Sequence, residues 1–380
     1  MAQTAAHSET QFIPIAEPDL QGNELAYVTD CVRSGWISSN GGYVARFEAE
    51  FARWCHAEHA ISTMNGTVAL HLALHALGIG PGDEVIVPTL TFIATANAVR
   101  YCGATPILAD SEYDTWNLDP VDTERRVTSR TRAILPVHLF GQPAKMAELL
   151  AVARRHNLLV VEDAAESHGA LANGKHVGTI GEAGIFSFFG NKIMTTGEGG
   201  IVTTNDSALA HRLAMLRDHG MIPGRRYWHE ELGFNYRMTN LQAAIGVAQV
   251  ERVDWLVERK RQIADFYRQR LRDLPGLTMP PEPPWARNVY WMFTMLVDQR
   301  EFGVDRDELM VRLRERGIDS RAFFYSMHTM PIYQSETRLP VAEDLSRRGI
   351  MLPSSVGLGE KQLERIATAI EVIHHSARTG

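Results

Sequence analysis

From about Glu17 to Val250, short apolar runs alternate with segments of helical period, and this alternation is the strongest constraint on the fold. The runs Ala60–Met64, Glu84–Pro88, Pro106–Ala109, Ala133–His138, Leu158–Val161, Gly184–Phe189 and Gly200–Thr204 read as strands. Helices fit between them at Glu24–Arg33, Tyr43–His56, Thr67–Leu77, Ile93–Cys102, Pro120–Arg126 and Pro143–Arg155. Strands alternating with helices predict an α/β fold with a mostly parallel, covered sheet. The segment Thr67–Leu77 is apolar nearly all round, so it is expected to be buried.

The pattern then changes. Thr239–Leu274 is a long helical stretch, followed by a break rich in proline between Pro275 and Pro284. After it come a strand over Tyr290–Val297, a helix over Asp305–Arg316 with Asp305 as N-cap, and a last helix near Glu360–His375. A chain of 380 residues is long enough for about two domains. We place a large domain at 1–250 and a smaller C-terminal α+β domain at 251–380.

Charge and cysteine usage exclude several function classes. The net charge of −7 argues against a broad nucleic-acid or anionic-membrane surface. Cys31, Cys55 and Cys102 are widely spaced with no C-x-x-C, so they build neither a disulfide framework nor a zinc ribbon. They fit reduced, buried thiols in a cytoplasmic protein. The N-terminus lacks the pattern of a signal peptide, and no apolar run approaches the ~20 residues that span a bilayer.

Three segments carry chemistry. Leu158–Asp163 (LLVVED) runs four apolar residues into two carboxylates, which puts Asp163 at a strand's carboxyl end, where ligands of open α/β sheets bind. The same residue could serve only as a helix cap. Asn65-Gly66-Thr67 precedes the buried helix and offers free N–H groups and a hydroxyl to a phosphate; Thr67 as a plain cap is the alternative. Phe186–Gly200 (FSFFGNKIMTTGEGG) ends an apolar run at Lys192 within a glycine-rich turn, with Ser187 five residues earlier. A lysine in an apolar pocket keeps its amine available as a nucleophile, the requirement for a Schiff base with a carbonyl cofactor such as pyridoxal 5'-phosphate (PLP). A solvated surface lysine is the alternative. His71 and His75, four apart on the apolar helix, have the spacing of two metal ligands but no third partner, so no metal site is expected. The chain contains no P-loop, H-E-x-x-H or G-x-S-x-G motif.

Together NGTVALHLAL (65–74), EVIVPTLTF (84–92), VEDAAESHGA (161–170), FSFFGNK with TTGEGG (186–200) and GFNYRMTNLQAAIG (233–246) resemble the PLP-dependent sugar-nucleotide aminotransferases of the DegT/StrS type over nearly the whole chain. The resemblance implies an aspartate-aminotransferase-type PLP fold around a mixed, mostly parallel sheet, and a homodimer with shared active sites. It implies that Lys192 bonds PLP and that Asp163 pairs with the pyridine nitrogen. Gly66, Thr67 and Ser187 would hold the phosphate, Phe92 would stack on the ring, and Glu166 would approach its phenolic side. Asn235 would reach the phosphate in the neighbouring subunit, and His328 would reach the sugar. Within the family, TWNLDP (115–120), GWISSNG (35–41) and YWHEELGFNYRMTN (227–240) most resemble the branch that aminates C4 of a GDP-linked 4-keto-6-deoxymannose, with L-glutamate as donor. Amination at C3 or C4 of a dTDP- or UDP-linked sugar is the runner-up. A dehydratase on the same fold would replace Lys192 by His, and a non-catalytic regulatory protein would not need Lys192, Asp163 and Ser187 together.

Overall fold

The computed structural model describes residues 12–222 and 224–379. Its centre is a seven-stranded sheet whose order across is His59–Thr63, Gly200–Thr204, Ala183–Ser187, Leu159–Asp163, Thr131–Ile134, Glu84–Pro88, Thr105–Ala109. Only Gly200–Thr204 runs against the others. The sheet is thus mostly parallel, as the alternation predicts, and mixed, as the resemblance implies. Three of its strands, Glu84–Pro88, Ala183–Ser187 and Gly200–Thr204, are buried at every position, because helices cover both faces.

The helix Gly66–Ala76 is buried along almost its whole length, as its apolar composition requires. It packs against both sheet and neighbouring helices in one core with Val85, Val87, Ile185 and Val202. Asn65 caps it, its side chain accepting from Val68 N at 3.0 Å. His71 lies on this helix with Nδ1 3.0 Å from the Tyr236 hydroxyl. His71 is a buried ring and His75 a partly buried one, both packed on Phe234. Among the described residues no group of three or more His, Cys, Asp or Glu could hold a metal. Burial raises the thiol pKa of Cys55 and Cys102 to about 12, so both stay protonated. Among the described residues, no helix is long and apolar enough to cross a membrane.

The stretch 239–274 is two helices rather than one, Asn240–Val250 and Val253–Leu271, separated by a turn at Glu251 and Arg252. Thr239 and Gln242 form a capping box at the start of the first. A second sheet follows, ordered Leu277–Thr278, Phe293–Val297, Gly349–Leu352, Arg321–Ala322, with all neighbours antiparallel. The expected strand at 290–297 begins only at Phe293, because Tyr290 turns the chain with φ +48°. Asp305 does cap the helix Arg306–Glu315, accepting from Glu308 N at 2.8 Å.

The N-terminal arm is stitched to this second layer. Ile13 N donates to Gly317 O at 2.8 Å and Asp319 N donates to Ile13 O at 2.9 Å, so Ile13 is buried among the C-terminal core residues. Further along, Glu17 N donates to Ser355 Oγ at 2.7 Å.

Candidate active site

The residues singled out in three sequence segments meet at one edge of the central sheet. Asp163 closes the strand Leu159–Asp163, Ser187 closes Ala183–Ser187, and the helix Gly66–Ala76 starts just beyond His59–Thr63. All three lie at carboxyl ends of parallel strands. They line a cavity of about 580 Å³ with Gly66, Thr67, Thr91, Phe92, Glu166, Lys192 and Trp291. That size suits a small-molecule site.

The two carboxylates of the LLVVED run separate by strand alternation. Asp163 turns to the cavity, where Thr95 Oγ1 donates to Oδ2 at 2.8 Å and Ala165 N donates to Oδ1 at 3.2 Å. Glu162 turns the other way. It accepts from Gly178 N at 2.8 Å, Ile180 N at 2.7 Å and Gly181 N at 2.8 Å, and lies 3.0 Å from His138 Nε2. Ala144 N donates to His138 Nδ1, so the proton of that ring sits on Nε2 and is shared with Glu162. Glu162 is therefore a structural tie, and Asp163 is the carboxylate free for chemistry.

Lys192 follows the strand end on a turn pinned by the bonds Lys192 N to Phe189 O and Thr196 N to Phe188 O, both 2.9 Å. Gly197, at φ +80°, supplies a left-handed turn that a side chain would strain. The Lys192 side chain is 11% exposed, with Nζ 3.4 Å from Glu166 Oε1 and 3.7 Å from the centre of the Trp291 ring. Burial pushes the amine down from its ordinary pKa, opposed by Glu166 and Asp163. Burial also pushes Asp163 and Glu166 up, with Lys192 acting against it. The solvated-lysine alternative falls on this burial. The Glu166 carboxylate is oriented by Phe140 N, which donates to Oε2 at 2.8 Å.

The rest of the cavity is an anion cradle. The first-turn N–H groups of Gly66 and Thr67 have no carbonyl within their own helix to bond, and the positive end of the helix dipole points the same way. A Cβ on Gly66 would stand 2.8 Å from Ser187 Cβ. Only glycine lets the helix terminus and the serine hydroxyl come that close. A phosphate fits between them, a carbonyl within reach of Lys192 and a basic ring nitrogen within reach of Asp163. PLP carries all three groups.

Two expected site residues are not in the cavity. Asn235 is exposed, and its Oδ1 accepts from Arg237 Nε at 3.2 Å and Nη2 at 3.1 Å. His328 is 4% exposed, with Nδ1 2.9 Å from Thr89 Oγ1 and Nε2 3.1 Å from Glu343 Oε1. With both nitrogens engaged, His328 braces the loop that carries Thr91 and Phe92 rather than facing the cavity. Conversely, Thr95, Trp291 and Phe324 belong to the site without having been expected. Thr95 had a readable signal, a hydroxyl three residues beyond Phe92 at the start of a helix.

A strand-end aspartate, a buried lysine and a phosphate cradle on this mixed sheet define a PLP-dependent aminotransferase, and solved structures agree. The crystal structure of DesV from S. venezuelae matches with a TM-score of 0.90 at 38% identity, covering 96% of this chain and 99% of that one. The chain belongs to the DegT/DnrJ/EryC1/StrS aminotransferase family, whose pattern it matches over residues 18–371. Among characterised relatives it is 49% identical to the GDP-perosamine synthase of Caulobacter vibrioides, over 96% of this chain and 99% of that protein. It is 46% identical to the GDP-perosamine synthase of Escherichia coli O157:H7, over 95% of this chain and 98% of that protein.

Proposed function

We propose that the protein transfers the amino group of L-glutamate to C4 of GDP-4-keto-6-deoxy-D-mannose, forming GDP-perosamine. The observation that carries this is the near-half identity to GDP-perosamine synthases along essentially the full length of both chains. PLP supplies an electron sink that stabilises negative charge on the carbon losing its proton. Lys192 bonds the cofactor through Nζ. Once displaced by glutamate, the same Nζ takes the proton from the donor's Cα as general base, and in the second half-reaction it delivers one to C4 of the sugar. Asp163 would hold a proton on the ring nitrogen, and Glu166 would serve the phenolic side. Gly66, Thr67 and Ser187 hold the phosphate, and Phe92 lies on the ring face. Both half-reactions use one cavity, so ping-pong kinetics follow.

The test is glutamate-dependent amination across GDP-, UDP- and dTDP-linked 4-keto-6-deoxy sugars. The highest kcat/KM is expected for the GDP-linked mannose derivative. A preference for a dTDP- or UDP-linked sugar would overturn the substrate and leave the aminotransferase standing.

The same reading makes the enzyme a cytoplasmic homodimer in which Asn235 completes the partner's phosphate site. The exposure of Asn235 supports this, as do the exposed apolar side chains of Leu25, Val32, Trp36 and Ile37 near the N-terminus. Loss of its bond to a charged acceptor is worth ~1.5–3 kcal/mol, so Asn235→Ala should weaken PLP binding by roughly 10- to 150-fold. Lys192→Ala should be nearly inactive. When the two variants exchange subunits, half the dimers are mixed, and each mixed dimer has one intact site. Activity at limiting PLP should recover to about a quarter of wild type. Exchange confirmed by mass with no recovery would place Asn235 in its own chain's chemistry.

A further inference from the structure

Trp291, one wall of the cavity, is held from several sides. The residue before it, Tyr290, holds φ +48°, a conformation that costs a bulky residue energy and concentrates at functional places. Its carbonyl accepts from Lys260 Nζ at 2.8 Å, and its indole Nε1 donates to Asn191 O at 2.7 Å, one residue from Lys192. Phe140 lies parallel to it, 6.4 Å between centroids and 17° between planes. The outcome of these restraints is one contact, the indole face 3.7 Å from Lys192 Nζ.

Lys260 is as unusual as Tyr290. It is 5% exposed in the helix Val253–Leu271 and has no carboxylate partner; burial alone pushes its amine down to about 7. A lysine is costly at such a place. Its evident work is to supply an N–H to the Trp291 carbonyl, which charged and neutral amines both do.

We infer that Trp291 is the resting face for the Lys192 ammonium once Nζ has taken the donor's proton, and that Lys260 is the positioning residue that seats Trp291 for it. The inference rests on the reading of Lys192 as the cofactor lysine. A freed Lys192 has two sorts of partner. Glu166 and Asp163 face it as carboxylates, with His168 in the same buried region. A carboxylate at 3.4 Å can take the proton. An aromatic face attracts the ammonium through its quadrupole but has no lone pair to accept a proton. Resting there, Nζ keeps the proton that it must return to substrate.

The test is competitive acetylation of the cofactor-stripped full-length protein over a pH series, with the titration midpoint of Lys192 read by mass spectrometry. Trp291→Leu keeps an apolar neighbour but removes the ring, so the midpoint should fall by roughly one pH unit. Trp291→Phe, which keeps a smaller face, should fall by less, and should decide the matter if the leucine variant does not fold. Lys260→Met should lower the midpoint in the same direction. An unchanged or raised midpoint in the Trp291 variants would overturn the resting face, and a wild-type midpoint in Lys260→Met would overturn the seating role. Borohydride trapping of the holoenzyme separates the failures. Label away from Lys192 refutes the cofactor reading, while the Lys192 midpoint still reports on Trp291.

Discussion

Lys192→Ala should keep PLP bound in near-stoichiometric amount while turnover falls by several orders of magnitude. In the proposed reading Gly66, Thr67 and Ser187 hold the phosphate without the Lys192 side chain, so cofactor retention should survive in good part. Two contributions to rate are lost together. The covalent link that splits one hard step into easier ones disappears. So does the positioned base and acid at Nζ, which alone is worth roughly 10²–10⁴-fold. No other amine replaces it, because Lys260 is spent on the Trp291 carbonyl. Borohydride reduction of the wild-type holoenzyme, followed by peptide mapping, should place the label on Lys192 and leave Lys145, Lys175, Lys260 and Lys361 unmodified. Label on any of those four, or turnover within tenfold of wild type in Lys192→Ala, would remove Lys192 from its role.

Asp163→Asn should cost ~3 kcal/mol or more of transition-state stabilisation, about a hundredfold in rate. The substitution keeps the shape but removes the charge that holds a proton on the ring nitrogen. It also disturbs the existing pattern of donors. Thr95 Oγ1 and Ala165 N each point a hydrogen at a different oxygen of Asp163. An amide can offer its single oxygen to one of them, and its NH₂ then opposes the other. The loss should appear in kcat and kcat/KM together, with the absorbance of the bound cofactor altered. Near-wild-type turnover would reduce Asp163 to a strand-end cap.

The parts of this site that could be read from sequence share one property: each lies where an apolar strand run stops. Asp163, Ser187, Lys192 and the Asn65-Gly66-Thr67 turn announce themselves because chemistry-bearing residues abut hydrophobic ones within a few positions. Trp291 carries no such signal. It reaches the cavity from the second layer, through a left-handed Tyr290 that no local pattern demands. The break between the helices Asn240–Val250 and Val253–Leu271 was hidden for a related reason: Glu251 and Arg252 are good helix formers, and tertiary packing alone ends the helix there. The helix Ser207–Arg217 did offer a marker in Asp206, whose side chain accepts from Ala208 N and Leu209 N, although its weak amphipathic pattern concealed it. His328 shows what a motif does not carry. The surrounding motif pointed to substrate, whereas packing gave both its nitrogens to Thr89 and Glu343.

The stitching of the N-terminal arm has a consequence for how the molecule is made. Glu17 and its partner Ser355 are 338 residues apart. At ~5–20 residues per second of synthesis, the arm emerges roughly 20 to 70 seconds before its partners exist. Through that interval Ile13 has no second layer to cover it, while the central sheet, made of segments closer in the chain, can already assemble. The arm therefore cannot dock until the C-terminal layer has been made, as a clasp closed late in synthesis.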